Sequence, residues 1–112
     1  MLVKHYTDEP AKTVEEGAKE TTIRWLIAEP EGAPNFYMRL LEIGQDGCTP
    51  HHAHEWEHEV FILEGEGKLV GDGKSHSLTA GDAVFVPGNE VHHFESSGRQ
   101  TMKMLCLIPA KK

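Results

Sequence analysis

The chain has 112 residues, of which 38% are hydrophobic and 26% are charged, as expected for one globular domain with one core. Its formal net charge of −7 and the lack of a basic patch argue against a nucleic-acid partner. No apolar run approaches the ~20 residues of a membrane helix, and no signal-peptide core is present, so no membrane partner is expected. Because Cys48 and Cys106 are isolated in the sequence, we expect reduced thiols and a cytoplasmic protein.

Apolar and polar residues alternate with a period of two along most of the chain, which predicts short strands and an all-β fold. Residues 8–20 are polar and are compatible with either a helical turn or coil. The Gln45-Asp46-Gly47 segment predicts a turn, and Gly71-Asp72-Gly73 predicts a tight hairpin because glycine tolerates positive φ. The predicted strands are 23–28, 36–43, 58–63, 68–70, 75–78, 83–86, 92–95 and 102–108.

Four histidines have the spacing of a metal site. His52 and His54 are two residues apart on an extended chain, so their side chains project to the same face. His58 follows after a short irregular step, and His92 follows the turn at Pro87. Any one of them alone is best interpreted as a surface histidine, and a solvated acidic loop is the alternative interpretation of a loop rich in His and Glu. Together they indicate a metal site, because neutral imidazole is a common ligand of divalent transition metals.

These residues resemble the two motifs of the cupin family. The first motif, at about 47–67, opens with Gly47, contains His52-x-His54 and closes with Gly65. Seven places before Gly65 stands His58, where the family normally has glutamate; Glu59 is the rival for this position.

The second cupin motif, at about 81–96, runs from Gly81 through Pro87 to His92. Its internal glycine is shifted to Gly88, and Ser96 stands where asparagine is usual. The resemblance implies a cupin jelly-roll barrel over residues 1–112 as a single domain. It also implies that the chain forms a homodimer, which would cover exposed strand edges.

The expected ligand set is His52, His54, His58 and His92. Four nitrogen ligands favour Mn, Fe, Co, Ni, Cu or Zn over Mg or Ca, which prefer oxygen. A six-coordinate metal held by four protein ligands keeps two positions for water, O₂ or a substrate.

Four further residues are expected to shape the substrate pocket, each with an alternative. Arg39 interrupts an apolar strand, where it either orients an anionic substrate or forms a structural ion pair. Cys106, on the same strand face as Met104, faces the pocket or is a small core residue. Trp56 either caps the cavity mouth or packs at a subunit interface. His51 and His93 have the opposite strand parity and are expected at the surface or behind the ligands.

The function that the sequence favours is a metal-dependent oxidoreductase of dioxygenase type, acting on a small organic substrate with O₂ as a possible partner. One alternative is an isomerase that uses the metal as a Lewis acid, which is weakened because no dedicated general base is evident. The other is a non-catalytic domain that senses a small molecule or stores a metal.

Overall fold

A computed structural model describes residues 1–110, and its regular structure consists of nine β-strands and two short 3-10 turns. The 3-10 turns are Tyr6–Asp8 and Glu29–Glu31. The strands are β1 Lys12–Thr13, β2 Lys19–Ile27, β3 Phe36–Cys48, β4 His58–Glu64, β5 Glu66–Gly71, β6 Lys74–Thr79, β7 Ala83–Val86, β8 His92–Ser97 and β9 Met102–Pro109.

The strands form one curled antiparallel sheet with the order β6-β5-β8-β3-β9-β4-β7, and β2 pairs with the free side of β3. The long strand β3 connects the two halves of the sheet. It pairs with β9 from Phe36 to Ile43, and its last residue, Cys48, pairs with Glu95 of β8. The fold is the cupin jelly-roll barrel that the sequence predicts, and the curled sheet encloses a cavity.

The alternation of buried and exposed side chains decides which residues face the interior. In β9 every second residue is buried, from Met102 through Met104 and Cys106 to Ile108. In β4 the same alternation buries His58, Val60 and Ile62 and leaves Glu59 and Phe61 outside. These inward side chains pack with those of β3, β7 and β8 in one core.

All eight predicted strands have a counterpart in the structure, and the Asp72-Gly73 turn joins β5 to β6 as expected. Both of its residues have positive φ, at 50° and 68°, and Gly71 pairs directly with Lys74. The turn predicted at residues 45–47 was wrong, because β3 continues through it to Cys48. Asp46 adopts a φ of 60° there, and the pairing with β2 shifts register nearby, so the turn residues produce an irregularity within the strand.

Residues 8–20, for which the sequence left a helical turn or coil open, contain the two-residue strand β1 and the start of β2. No helix within residues 1–110 is long and apolar enough to cross a membrane.

Candidate metal centre and cavity

The segment after β3 is bound to β8, and this contact sets His52 opposite His92. The Thr49 amide donates to the Phe94 carbonyl at 2.9 Å, and the Phe94 amide donates to Thr49 Oγ1 at 2.8 Å. His52 and His92 then exchange two backbone hydrogen bonds of 3.2 Å as an isolated antiparallel bridge. Two histidines that are forty residues apart in the chain are therefore held side by side.

His54 is held by the turn that precedes β8. Its carbonyl accepts a hydrogen bond of 2.5 Å from the Asn89 amide, and its ring stacks on Trp56 with centroids 4.6 Å apart. Gly88 packs against the carbonyl of Glu55 so closely that a Cβ there would overlap with it. The shifted glycine of the second motif thus allows close approach of the two loops that carry the histidines.

His58 is the first residue of β4, and its side chain is buried at the bottom of the cavity, with 6% exposure. Its Nδ1 lies 3.4 Å from both Cys106 Sγ and Arg39 Nη2. Burial, followed by the positive charge of Arg39 and the neighbouring histidines, lowers the pKa of His58 to about 3. The imidazole is therefore neutral near pH 7, which is the form that binds metals.

His92 has a defined tautomer. Its Nδ1 lies 2.8 Å from the carbonyl oxygen of Glu90, which can only accept a hydrogen bond. The proton must then be on Nδ1, and Nε2 keeps its lone pair. This arrangement is typical of metal-binding histidines, whose second nitrogen donates to a carbonyl or carboxylate.

The four rings surround one space at the end of the cavity. The Nε2 atoms of His52 and His54 are 2.8 Å apart, and the ring centroids of His58 and His92 are 5.3 Å apart. His54 is 5.2 Å from His58 and 6.4 Å from His92, again between centroids. Over residues 1–110, however, no three or more His, Cys, Asp or Glu side chains stand close enough to hold a metal ion without moving. A shared ion requires these rings to shift from their present positions.

Two observations nevertheless fit a metal ion. Adjacent nitrogens bound at about 2.1 Å in octahedral geometry are about 3.0 Å apart, close to the separation of His52 Nε2 and His54 Nε2. His58 Nε2 is buried and has no hydrogen-bond partner among the described residues. Because a buried polar atom without a partner is costly, this nitrogen is a strong candidate for a ligand.

The cavity beside the histidines has a volume of about 200 Å³ and mainly apolar walls. Arg39, Met104 and Cys106, three of the expected pocket residues, line it together with the four histidines. Trp56 is not among the lining residues; it stacks on His54 and packs against the core. The remaining walls are formed by Val14, Ile23, Leu41, Thr49, Pro50 and Phe94.

Cys106 forms the floor of the cavity, with 3% exposure. Its sulfur accepts a hydrogen bond of 2.8 Å from Arg39 Nη2. Burial raises the pKa of the Cys106 thiol, and the nearby Arg39 charge opposes this shift only in part. The thiol is therefore protonated at neutral pH and is poorly suited to nucleophilic attack.

The remaining polar residues near the histidines lie outside the cavity. Glu59, the rival of His58, is exposed on the outer face of β4, where it lines a groove with Phe61 and Phe85. His51 and His93 contact each other through their Nδ1 atoms at 2.5 Å, and His93 Nε2 lies 2.7 Å from Glu95. Neither His51 nor His93 lines the cavity.

Two supporting groups, the Glu90 carbonyl and the Thr49 hydroxyl, have no signature in the sequence. Both act through backbone geometry: the carbonyl holds the His92 ring, and the hydroxyl binds the Phe94 amide. Neither contact follows from residue type, because each depends on how the loops fold onto β8.

Comparisons with known proteins agree with this fold. Residues 38–108 match the family model described as "Cupin domain". The polyketide cyclase RemF from Streptomyces resistomycificus is 42% identical, with a TM-score of 0.92 over 99% of this chain and 80% of that chain.

Two curated proteins are similar over shorter stretches. An oxalate-binding protein from Thermotoga maritima is 38% identical over 58 residues, or 51% of this chain and 48% of that protein. Quercetin 2,3-dioxygenase from Bacillus subtilis is 36% identical over 59 residues, or 52% of this chain and 18% of the enzyme. This chain thus spans about half the length of the first relative and a smaller part of the second.

Proposed function

Because this chain belongs to the cupin family, we propose that it is a metal-dependent enzyme that promotes ring closure in a small organic molecule rich in carbonyl and enol oxygens. His52, His54, His58 and His92 would hold one divalent transition metal from the group Mn, Fe, Co, Ni, Cu and Zn. The observation that carries the proposal is the cluster of four imidazoles at the end of an apolar cavity, with His58 buried and neutral. The 42% identity to a polyketide cyclase across nearly the whole chain favours cyclisation among the reactions that such a site supports.

The metal, the apolar walls and the contacts of the histidines would each have a separate role in the reaction. The bound metal would supply Lewis acidity, which polarises carbonyl and enol oxygens. The apolar walls, including Leu41, Phe94 and Met104, exclude water and strengthen electrostatic interactions within the cavity. The contacts of His92 with the Glu90 carbonyl and of His54 with Trp56 keep the imidazoles oriented.

Ring closure of this kind balances without an external oxidant. The enol carbon forms a bond to a carbonyl carbon, the carbonyl π bond breaks, and the resulting alkoxide takes up the proton that the enol hydroxyl loses. The new hydroxyl group then leaves as water together with a hydrogen from the neighbouring carbon, which forms a C=C bond in the ring. Among residues 1–110 no carboxylate lines the cavity, and this weakens reactions that need a strong protein base. It weakens cyclisation less, because protons between two carbonyls are already acidic.

A dioxygenase, the function favoured by the sequence alone, is the second candidate. The similarity to a quercetin 2,3-dioxygenase over 59 residues supports it. The two reactions differ in their need for O₂. We expect protein loaded with zinc to form product from a linear polycarbonyl substrate at equal rates under air and under argon. Turnover that needs Fe, Mn or Cu and stops under argon would identify the dioxygenase instead, and binding without product under either gas would identify a non-catalytic domain.

We also propose that two copies of the chain pair through the outer face of β4, β7 and β9. Phe36, Phe61 and Phe85 are 61%, 45% and 59% exposed on this side of the molecule, and β7 ends the strand order with one unpaired edge. Such a face and edge favour association. Light scattering should give the mass of a dimer for the natural chain and of a monomer for Phe85→Asp, whereas Ser77→Asp on exposed β6 should remain dimeric. A monomeric natural chain would refute the pairing.

The cytoplasmic location that the sequence favours stays a prediction.

A further inference from the structure

Arg39 places a positive charge inside the barrel. It lies on β3, where its neighbours across the sheet are Trp25 on β2 and Cys106 on β9. Its guanidinium carbon lies 5.2 Å from the centre of the Trp25 ring, and Nη2 donates to the Cys106 sulfur at 2.8 Å. The cation–π contact and the strand pairing fix the direction of the side chain.

No carboxylate compensates this charge within residues 1–110. None of the ion pairs in this part of the chain includes Arg39, and no Asp or Glu lines the cavity. Arg39 Nε is buried and has no hydrogen-bond partner among the same residues. A guanidinium in an apolar setting needs an anionic or strongly accepting partner, and Arg39, whose Nε lacks one, is a lining residue of the cavity.

The size of the cavity limits what that partner can be. A cavity of about 150 Å³ is known to hold a benzene molecule, so one of about 200 Å³ admits a single ring with its substituents or one end of a chain. His52, which lines the same cavity, is exposed, so a larger molecule could extend outwards past it.

We propose that the cavity binds its ligand as an organic anion, with a carboxylate or enolate oxygen on Arg39 and the attached ring or chain end between the apolar walls. This inference rests on the proposed function. It specifies the charge and the size of the part of the substrate that enters the cavity. It also explains why arginine stands on an apolar strand, since its planar fork can bind a charged oxygen while Nη2 keeps its bond to Cys106. The chain as a whole carries −7, so the attraction must be local.

Binding of salicylate and of salicylamide, which have the same shape but differ in charge, tests the proposal by titration calorimetry. The chain of 112 residues should be measured both loaded with zinc and free of metal. A charge-assisted hydrogen bond contributes about 1.5–3 kcal/mol, so salicylate should bind the metal-free form about tenfold to a hundredfold more tightly than salicylamide. Bound zinc attracts salicylate as well, so the contribution of Arg39 is measured on the metal-free form. Arg39→Gln should remove most of this preference, and Arg39→Lys, which keeps the charge without the fork, should retain part of it.

Arg24→Gln is the matched control. Arg24 lies on β2 with its side chain on Glu42 and on backbone carbonyls of the N-terminal segment, so this variant changes net charge equally but leaves the cavity intact. Circular dichroism should establish that each variant is folded, with Arg39→Lys as the second variant if Arg39→Gln is not. Equal binding of the two probes, no binding of salicylate, or an unchanged preference in the Arg39 variants would overturn the proposal. The metal-free measurement separates this result from the proposed metal centre, whose failure would instead appear as absent zinc binding.

Discussion

Acidification of the metal-free protein should destabilise it through His58. The pKa of this imidazole is lowered to about 3 in the folded chain, and the ordinary value is 6.5. Between these values the unfolded chain binds a proton that the folded chain excludes, so the free energy of unfolding falls as the pH falls. The contribution of His58 is complete above pH 6.5 and is lost progressively as the pH falls towards 3.

The loss in the free energy of unfolding follows from the interval between the two pKa values of His58, about 3 in the folded chain and 6.5 ordinarily. One pKa unit corresponds to about 1.4 kcal/mol, so lowering the pH from 6.5 to 4 should cost the protein about 3 kcal/mol through His58 alone. The side chain is only 6% exposed, so solvent screens little of this effect. For a small domain this is a large part of the total stability.

Urea denaturation of the metal-free protein at pH 7, 6, 5 and 4 measures the effect, with His58→Asn as the variant that cannot titrate. Other groups also respond to pH, so the informative quantity is the difference between the two stability profiles. The natural chain should lose about 3 kcal/mol more than His58→Asn over this range. His76→Asn, which removes an exposed histidine on β6, should follow the natural chain. Parallel profiles for the natural chain and His58→Asn would refute the argument that His58 is buried and neutral.

Two further predictions concern the metal. His58→Ala should greatly weaken metal binding, and Glu59→Ala should leave one metal ion bound per chain, because of these two residues only His58 faces the cavity. A metal-content assay with the reverse result would show that Glu59 is the ligand. Metal affinity should fall steeply below about pH 6, with more than one proton taken up per metal ion released, because imidazole ligands bind only when neutral. Calorimetric titrations that give a constant affinity between pH 7 and pH 5 would argue against a site of four histidines.

Local patterns were sufficient to predict most strands and the neighbourhood of the histidines. The period-two alternation predicted strands β4 and β9, and the count back from Gly65 favoured His58 over Glu59. In the structure His58 faces inwards and Glu59 outwards. The same reasoning failed at Gln45-Asp46-Gly47, because residues typical of turns also occur at irregularities within a continuous strand. There the pairing partner, which the local sequence does not reveal, decides the outcome.

The contacts that the cavity residues make with one another were harder to predict from the sequence. The contact between Arg39 and Cys106 joins residues 67 positions apart and depends on the register between β3 and β9. The sequence therefore left two alternatives for Arg39, and the structure shows no carboxylate paired with it within residues 1–110. The stacking of Trp56 on His54 likewise depends on the path of one loop, so Trp56 supports a histidine and does not line the cavity.

The central claim is that four imidazoles bind one metal ion at the end of this cavity. X-ray absorption spectroscopy of zinc-loaded protein, combined with metal analysis, tests it most directly. We predict one ion per chain with four histidine nitrogens at about 2.0–2.1 Å and no sulfur in the coordination shell. The account would be contradicted if the chain binds no metal. It would also be contradicted if the Cys106 sulfur is a ligand, at about 2.3 Å from the zinc.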